Sequence, residues 1–148
     1  MNRVTKIITA IAINLPVIAA AAAAQSANPP ANLELNFNGI ETPKGNIMIA
    51  LFDSEEAYNS DKAIRTIAAP ADKADVKTLV NGLVPGRYAI KSFHDIDSNN
   101  QMGTNPYGMP TEPFAFSNNA RGQMGPASWK DAAFDIKAGS NTAAITIQ

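Results

Sequence analysis

Short runs in which apolar and polar residues alternate, each closed by a glycine or proline turn, are what most constrain this chain. Leu33, Leu35 and Phe37 alternate with Glu34, Asn36 and Asn38. A period of two sends successive side chains to opposite faces, which is the pattern of a strand with one face buried. Tyr88, Ile90 and Ser92 alternate in the same way with Ala89, Lys91 and Phe93. Asn46–Asp53 is almost continuously apolar and predicts a central strand buried on both faces. Shorter strands are expected at 64–68, 75–80, 133–137 and 144–147, with turns at 39–45, 82–86 and 139–141. One helical turn is expected at Ser54–Tyr58, where Asp53 or Ser54 can cap and two glutamates sit in the first turn. About seven short strands with almost no helix specify an all-β fold, an antiparallel β-sandwich of Ig-like or transthyretin-like kind. A closed barrel is the alternative.

The first 24 residues follow a different pattern. Arg3 and Lys6 precede an apolar stretch from Ile7 to Ala23, and Ala22 and Ala24 place small residues before a cleavage point. That is the layout of a secretory signal peptide cut after Ala24. The stretch is rich in alanine and carries Asn14 and Pro16, which suits a spanning helix poorly. Residues 25–31 read as a disordered leader and residues 32–148 as the sandwich domain. The expected address is the periplasm, or the medium if the protein is fully secreted.

Composition then removes several classes of function. Without Arg3 and Lys6 the chain has ten basic residues against thirteen acidic ones, a net charge of −3. No basic patch is present, so nucleic acid is not an expected partner. No second apolar segment is long enough to span a membrane. Cysteine is absent, so thiol catalysis, thiolate metal sites and lipid attachment at a cysteine fall away.

From His94 to Lys130 neither period persists. This stretch holds four glycines, four prolines and several asparagines, yet it also carries Phe114, Phe116 and Trp129. Loops of this length inside compact domains are functional or disordered, and disordered tracts seldom carry so much aromatic surface. One long ordered loop is therefore expected, folded over an end or edge of the sandwich.

Several stretches resemble known families. Gly82-Leu-Val-Pro-Gly-Arg-Tyr88 resembles the turn and strand of transthyretin-like and carboxypeptidase-regulatory-like sandwiches. A longer series runs through Ala50-Leu-Phe-Asp53, His94-Asp95, Asn105, Gly108, Phe116-Ser-Asn-Asn-Ala120, Gly125-Pro126 and Asp131-Ala-Ala-Phe134. It is similar to the bacterial domain of unknown function 2141 family across Leu33 to Ile147. The resemblance implies an exported sandwich and no established activity, substrate or cofactor. Members often read His-Asp-x-Asn-x-Asn-Gly with an Asp three residues on; here Asn100 stands for that Gly and Gly103 for that Asp.

Four groups are candidates for chemistry. Asp95, Asp97 and Asn99 place oxygen side chains at alternate positions, as at the start of a calcium loop. The terminal Glu of such a loop is missing, and a turn in which Asp and Asn bond their own backbone is the plainer alternative. His94, the single histidine, stands at the loop mouth. It would anchor the loop by hydrogen bonds, or act with Ser117 or Ser128 as a small hydrolase. His94 with Met102, Met109 and Met124 would suit copper(I), although methionine also fills irregular packing gaps. Asn118, Asn119 and Arg121, with Trp129 nearby, offer amides, a guanidinium and an aromatic face to a peptide or glycan. Alternatively the amides serve the loop backbone and Trp129 plugs the loop onto the core. The expected function is a non-catalytic binding or interaction module that uses the 94–130 loop. A metal-binding module, calcium ahead of copper, and a hydrolase using His94 are the alternatives.

Overall fold

The computed structural model describes residues 29–148. The signal segment 1–24 and residues 25–28 of the leader lie outside the described residues. Eight strands form two sheets. The first strand, β1 (Ala31–Asn38), lies between β4 (Val76–Leu83) and β8 (Gly139–Thr146). The second sheet runs in the order β3 (Arg65–Pro70), β2 (Asn46–Phe52), β5 (Gly86–Asp95), β6 (Phe114–Phe116), and β7 (Phe134–Ile136) also pairs with β5. Every ladder is antiparallel except that of β1 with β8, which run side by side in the same direction. The architecture is an all-β sandwich, as the alternation predicts.

The core follows from the period of two. Along β1, residues 31, 33, 35 and 37 are buried while their neighbours are half-exposed. They meet Ile47, Ile49 and Leu51 of β2, together with Tyr88 and Ile90 of β5. Ser54 caps the short helix α1 (Glu55–Asn59), its Oγ accepting the N–H of Ala57 at 3.2 Å. The Val84-Pro85-Gly86 turn is tied by the Tyr88 hydroxyl, which donates to the Val84 carbonyl at 2.7 Å.

A second, smaller apolar cluster lies on the outer face of the second sheet. It gathers Phe52, Tyr58, Ala89, Phe116, Ala127 and Ala132, with Trp129 packed against it. The rings stack edge to face: Phe52 on Tyr58 at 5.3 Å between centroids, and Tyr58 on Trp129 at 5.8 Å. Tyr58 comes from α1, and Trp129 opens a second short helix, α2 (Trp129–Ala132). The two helices thus cover one end of that face.

The long loop is less irregular than its sequence. It contains β6, a 3₁₀ turn at Ser117–Asn119, and α2. The strands β6 and β7 lie on the same side of β5, pairing with residues 91–93 and 86–88. They are two pieces of one interrupted edge strand. At the break, Ser117 stands in for the missing backbone. Its Oγ accepts the Ile90 N–H at 2.8 Å and donates to the Ala132 carbonyl at 2.6 Å. Asn118 and Asn119 then take φ of 59° and 51°, a left-handed conformation that asparagine tolerates better than most residues. This turns the chain out of the sheet.

Ser117 is fully buried, so removing its hydroxyl strands a buried N–H and a buried C=O. Ser117→Ala is expected to cost about 1–3 kcal/mol in urea denaturation. A cost below about 0.5 kcal/mol, as at an ordinary surface site, would mean that the break is held by something else.

Candidate functional site

The residues singled out in the sequence occupy three separate places. His94 is 1% exposed and its side chain lies on the inward side of β5. Its Nε2 is 2.7 Å from the Lys44 carbonyl; a carbonyl can only accept, so this nitrogen carries the proton. The His94 backbone N–H donates to the Pro113 carbonyl at 2.8 Å, which fastens the middle of the loop back to its start. Neither serine is beside it. Ser117 sits at Ile90, four residues down the strand and about 13 Å away. Ser128 caps α2, with its Oγ donating to Asp131 at 2.6 Å.

The amides are committed to the fold. Asn118 Nδ2 donates to the carbonyls of Ala133 at 2.9 Å and Asp131 at 3.2 Å. Asn119 Oδ1 accepts the Thr146 N–H of β8 at 2.8 Å. Arg121 donates to the Gln148 side chain at 2.7 Å. Trp129 is half-buried against Tyr58. The family-like Ser-Asn-Asn sequence is therefore a junction that joins β5, α2 and β8.

Asp95 and Asp97 are drawn together with a residue the spacing did not reveal, Glu112. Ligand atoms of the three carboxylates lie within 4.8 Å of one another. Asp95 is fully buried and accepts the N–H groups of Asn99 at 3.1 Å and Asn100 at 2.9 Å. Glu112 accepts the N–H groups of Ile96 at 3.0 Å and Gly103 at 2.9 Å. The cluster is a clasp that closes residues 96–112 into a compact lobe. Asn99 borders the cluster: its Nδ2 donates to Asp97 Oδ2 at 2.8 Å, and its Oδ1 accepts the Gln101 N–H at 2.7 Å. Two glycines make the clasp possible. A Cβ on Gly45 would lie 2.0 Å from the Asp95 carbonyl oxygen, and one on Gly103 would lie 2.6 Å from Thr111 Oγ1. Gly103 belongs to this close approach.

On the outer face of the second sheet, beyond the α1–α2 cap, lies a groove of about 1200 Å³. Met48 and Ala50 of β2, Phe93 of β5, and Phe114 and Phe116 of β6 line it at the sheet. The clasped lobe contributes Met102, Tyr107 and Met109, and the 122–126 segment contributes Met124 and Pro126. All four methionines among the described residues border this one space. Three of them were visible as a group in the sequence, but His94 points into the sandwich and does not join them. Met48 is added by the sheet.

At the capped end of the groove stands Lys91. Its Nζ donates to the Tyr58 carbonyl at 2.8 Å and to Asp61 Oδ1. It also lies 4.2 Å from the Tyr58 ring centroid and 5.2 Å from that of Phe52, within cation–π range. The Tyr58 hydroxyl donates to the Ala127 carbonyl at 2.8 Å. Burial, and next the nearby Asp61 charge, push this phenol up to about 12 from its ordinary 10.

The pH consequence has a definite sign. The folded state favours the neutral phenol, so this contribution is complete below pH 10 and is lost as pH rises from 10 through about 12. Stability of the native protein should fall more steeply across that window than stability of Tyr58→Phe, measured by denaturation at a series of pH values. Parallel slopes would contradict the assignment.

Among the described residues, no helix is long and apolar enough to cross a membrane. No curated protein and no solved structure matches the chain. The family described as an uncharacterised protein conserved in bacteria, DUF2141, matches residues 35–144. The matched span runs from within β1 to within β8 and takes in the clasp, the Ser-Asn-Asn junction and the groove. This chain belongs to that bacterial family, DUF2141.

Proposed function

We propose that the protein is an exported, non-catalytic binding module that takes an apolar ligand in the groove on the outer face of its second sheet. One observation carries the reading. Of seven large hydrophobic residues that stand exposed among the described residues, Tyr107, Met109, Phe114 and Met124 all border the groove. Contiguous exposed apolar surface marks interaction sites in soluble proteins. Methionine adds a flexible, polarizable lining that adapts to differently shaped ligands. The signal-like segment 1–24 supports a periplasmic or secreted address.

The test is titration of the purified protein with Nile red, an uncharged apolar dye. A single saturable site is expected. The double substitution Tyr107→Asp and Met109→Asp should weaken it about tenfold or more, since two charges would stand where the bound dye covers apolar surface. Both side chains are exposed, so stability should change by less than about 1 kcal/mol. Unchanged dye affinity in that variant would remove the groove from the account.

A second reading attaches calcium to the clasp. The observation that favours it is the convergence of Asp95, Asp97 and Glu112, since calcium takes six to eight oxygens and each carboxylate oxygen keeps a second lone pair. On this reading calcium added after chelation raises Tm by several degrees, because binding to the native state stabilises it. The rise should vanish in Asp97→Asn with Glu112→Gln. An unchanged Tm would leave the three carboxylates as holders of backbone amides alone.

A further inference from the structure

We infer that the groove takes an unbranched apolar chain ending in a carboxylate, with the carboxylate on Lys91 and the chain along the methionine-lined sheet face. This deepens the binding reading above and rests on it. The groove contains one cation and one anion among the described residues, Lys91 and Asp61, and they are paired with each other. The pair is lopsided. The Lys91 side chain is 20% exposed, whereas that of Asp61 is 77% exposed. An exposed partner in such a pair is held weakly. An ammonium has three N–H donors, and those of Lys91 have two acceptors among the described residues, the Tyr58 carbonyl and Asp61. A carboxylate arriving from the groove can take the remaining donor, or displace Asp61 into water. The rings of Tyr58 and Phe52 beside Nζ lower the local dielectric and strengthen a charge pair formed there.

The rest of the lining selects the tail. A peptide would bring backbone N–H and C=O groups that need partners. Of the strands at the groove floor, β2 and β5 are each paired on both sides, and on the edge strand β6 both backbone groups of Phe114 are taken by Gln148. A methylene chain brings no such groups. Phe93, Phe114 and Met48 give it apolar contact along the sheet, and Met109 gives it contact from the lobe. A second negative charge on the ligand head would face Asp61 with no further cation to offset it, which disfavours a phosphate dianion.

The experiment compares dodecanoate with dodecanol, an equal chain with an uncharged head, by calorimetric titration of the purified protein. Dodecanoate should bind about tenfold or more tightly, the difference a charge-assisted hydrogen bond supplies. Asp61→Asn, whose backbone φ of 54° suits asparagine, removes the competing carboxylate. It should tighten dodecanoate and leave dodecanol unchanged. Lys91→Gln should bring the two ligands to equal affinity. Equal affinities in the native protein, or an unchanged ratio in Asp61→Asn, would overturn the carboxylate assignment while leaving the groove as an apolar site. Failure of both ligands to bind would overturn the groove reading itself.

Discussion

Strands β2 and β5 carry apolar side chains on both faces, and the rest of the molecule is arranged around that constraint. The inner face meets β1 and forms the main core. The outer face also has to leave water, at about 25 cal/mol for each Å² removed. The chain covers one end of it with Tyr58 and Trp129, brought in by two short helices. Over the other end it builds sides without a lid. The exposed ring of Phe114 and the half-exposed Met48 lie at that open end.

Two devices hold the sides in place, and both use side chains where backbone pairing runs out. The first is the interruption at Ser117, where a hydroxyl takes a ladder position so that the edge strand can leave the sheet and return as β7. The second is the carboxylate clasp, where Asp95 and Glu112 collect backbone amides that a lobe of this shape would otherwise leave unpaired. Polar residues thus build a frame, and the surface they present to the groove is mostly apolar. Lys91 is the exception, and the Asp61 pair and the Tyr58 and Phe52 rings compensate its partial burial.

Strand character and the first helical turn were legible in the sequence because they depend on neighbours within a few positions. β2 and β5 declared themselves through period and apolar content, and the helix start through the two glutamates after Asp53 and Ser54, of which the structure uses Ser54. β6 was not legible, since Phe114–Phe116 is too short to show a period. Glu112 was hidden for a different reason. It joins Asp95 from across a lobe, and no local spacing announces such a meeting. Asn118 and Asn119 looked like free recognition groups because a sequence shows donors and acceptors without showing which carbonyls they reach. The groove belongs to the same class: its methionines come from β2 and from two segments of the long loop, so only the folded chain assembles them.

The central claim is that the partly uncovered face is a binding surface rather than a packing remnant. Its most direct test follows the methyl resonances of methionine and alanine in protein labelled at both residue types during titration with dodecanol. The account predicts that Met48, Met102, Met109 and Met124 shift together and saturate at one ligand concentration, while Ala144, exposed on the opposite sheet, does not move. Static methionine signals, or shifts centred on the β4–β1–β8 sheet, would contradict it.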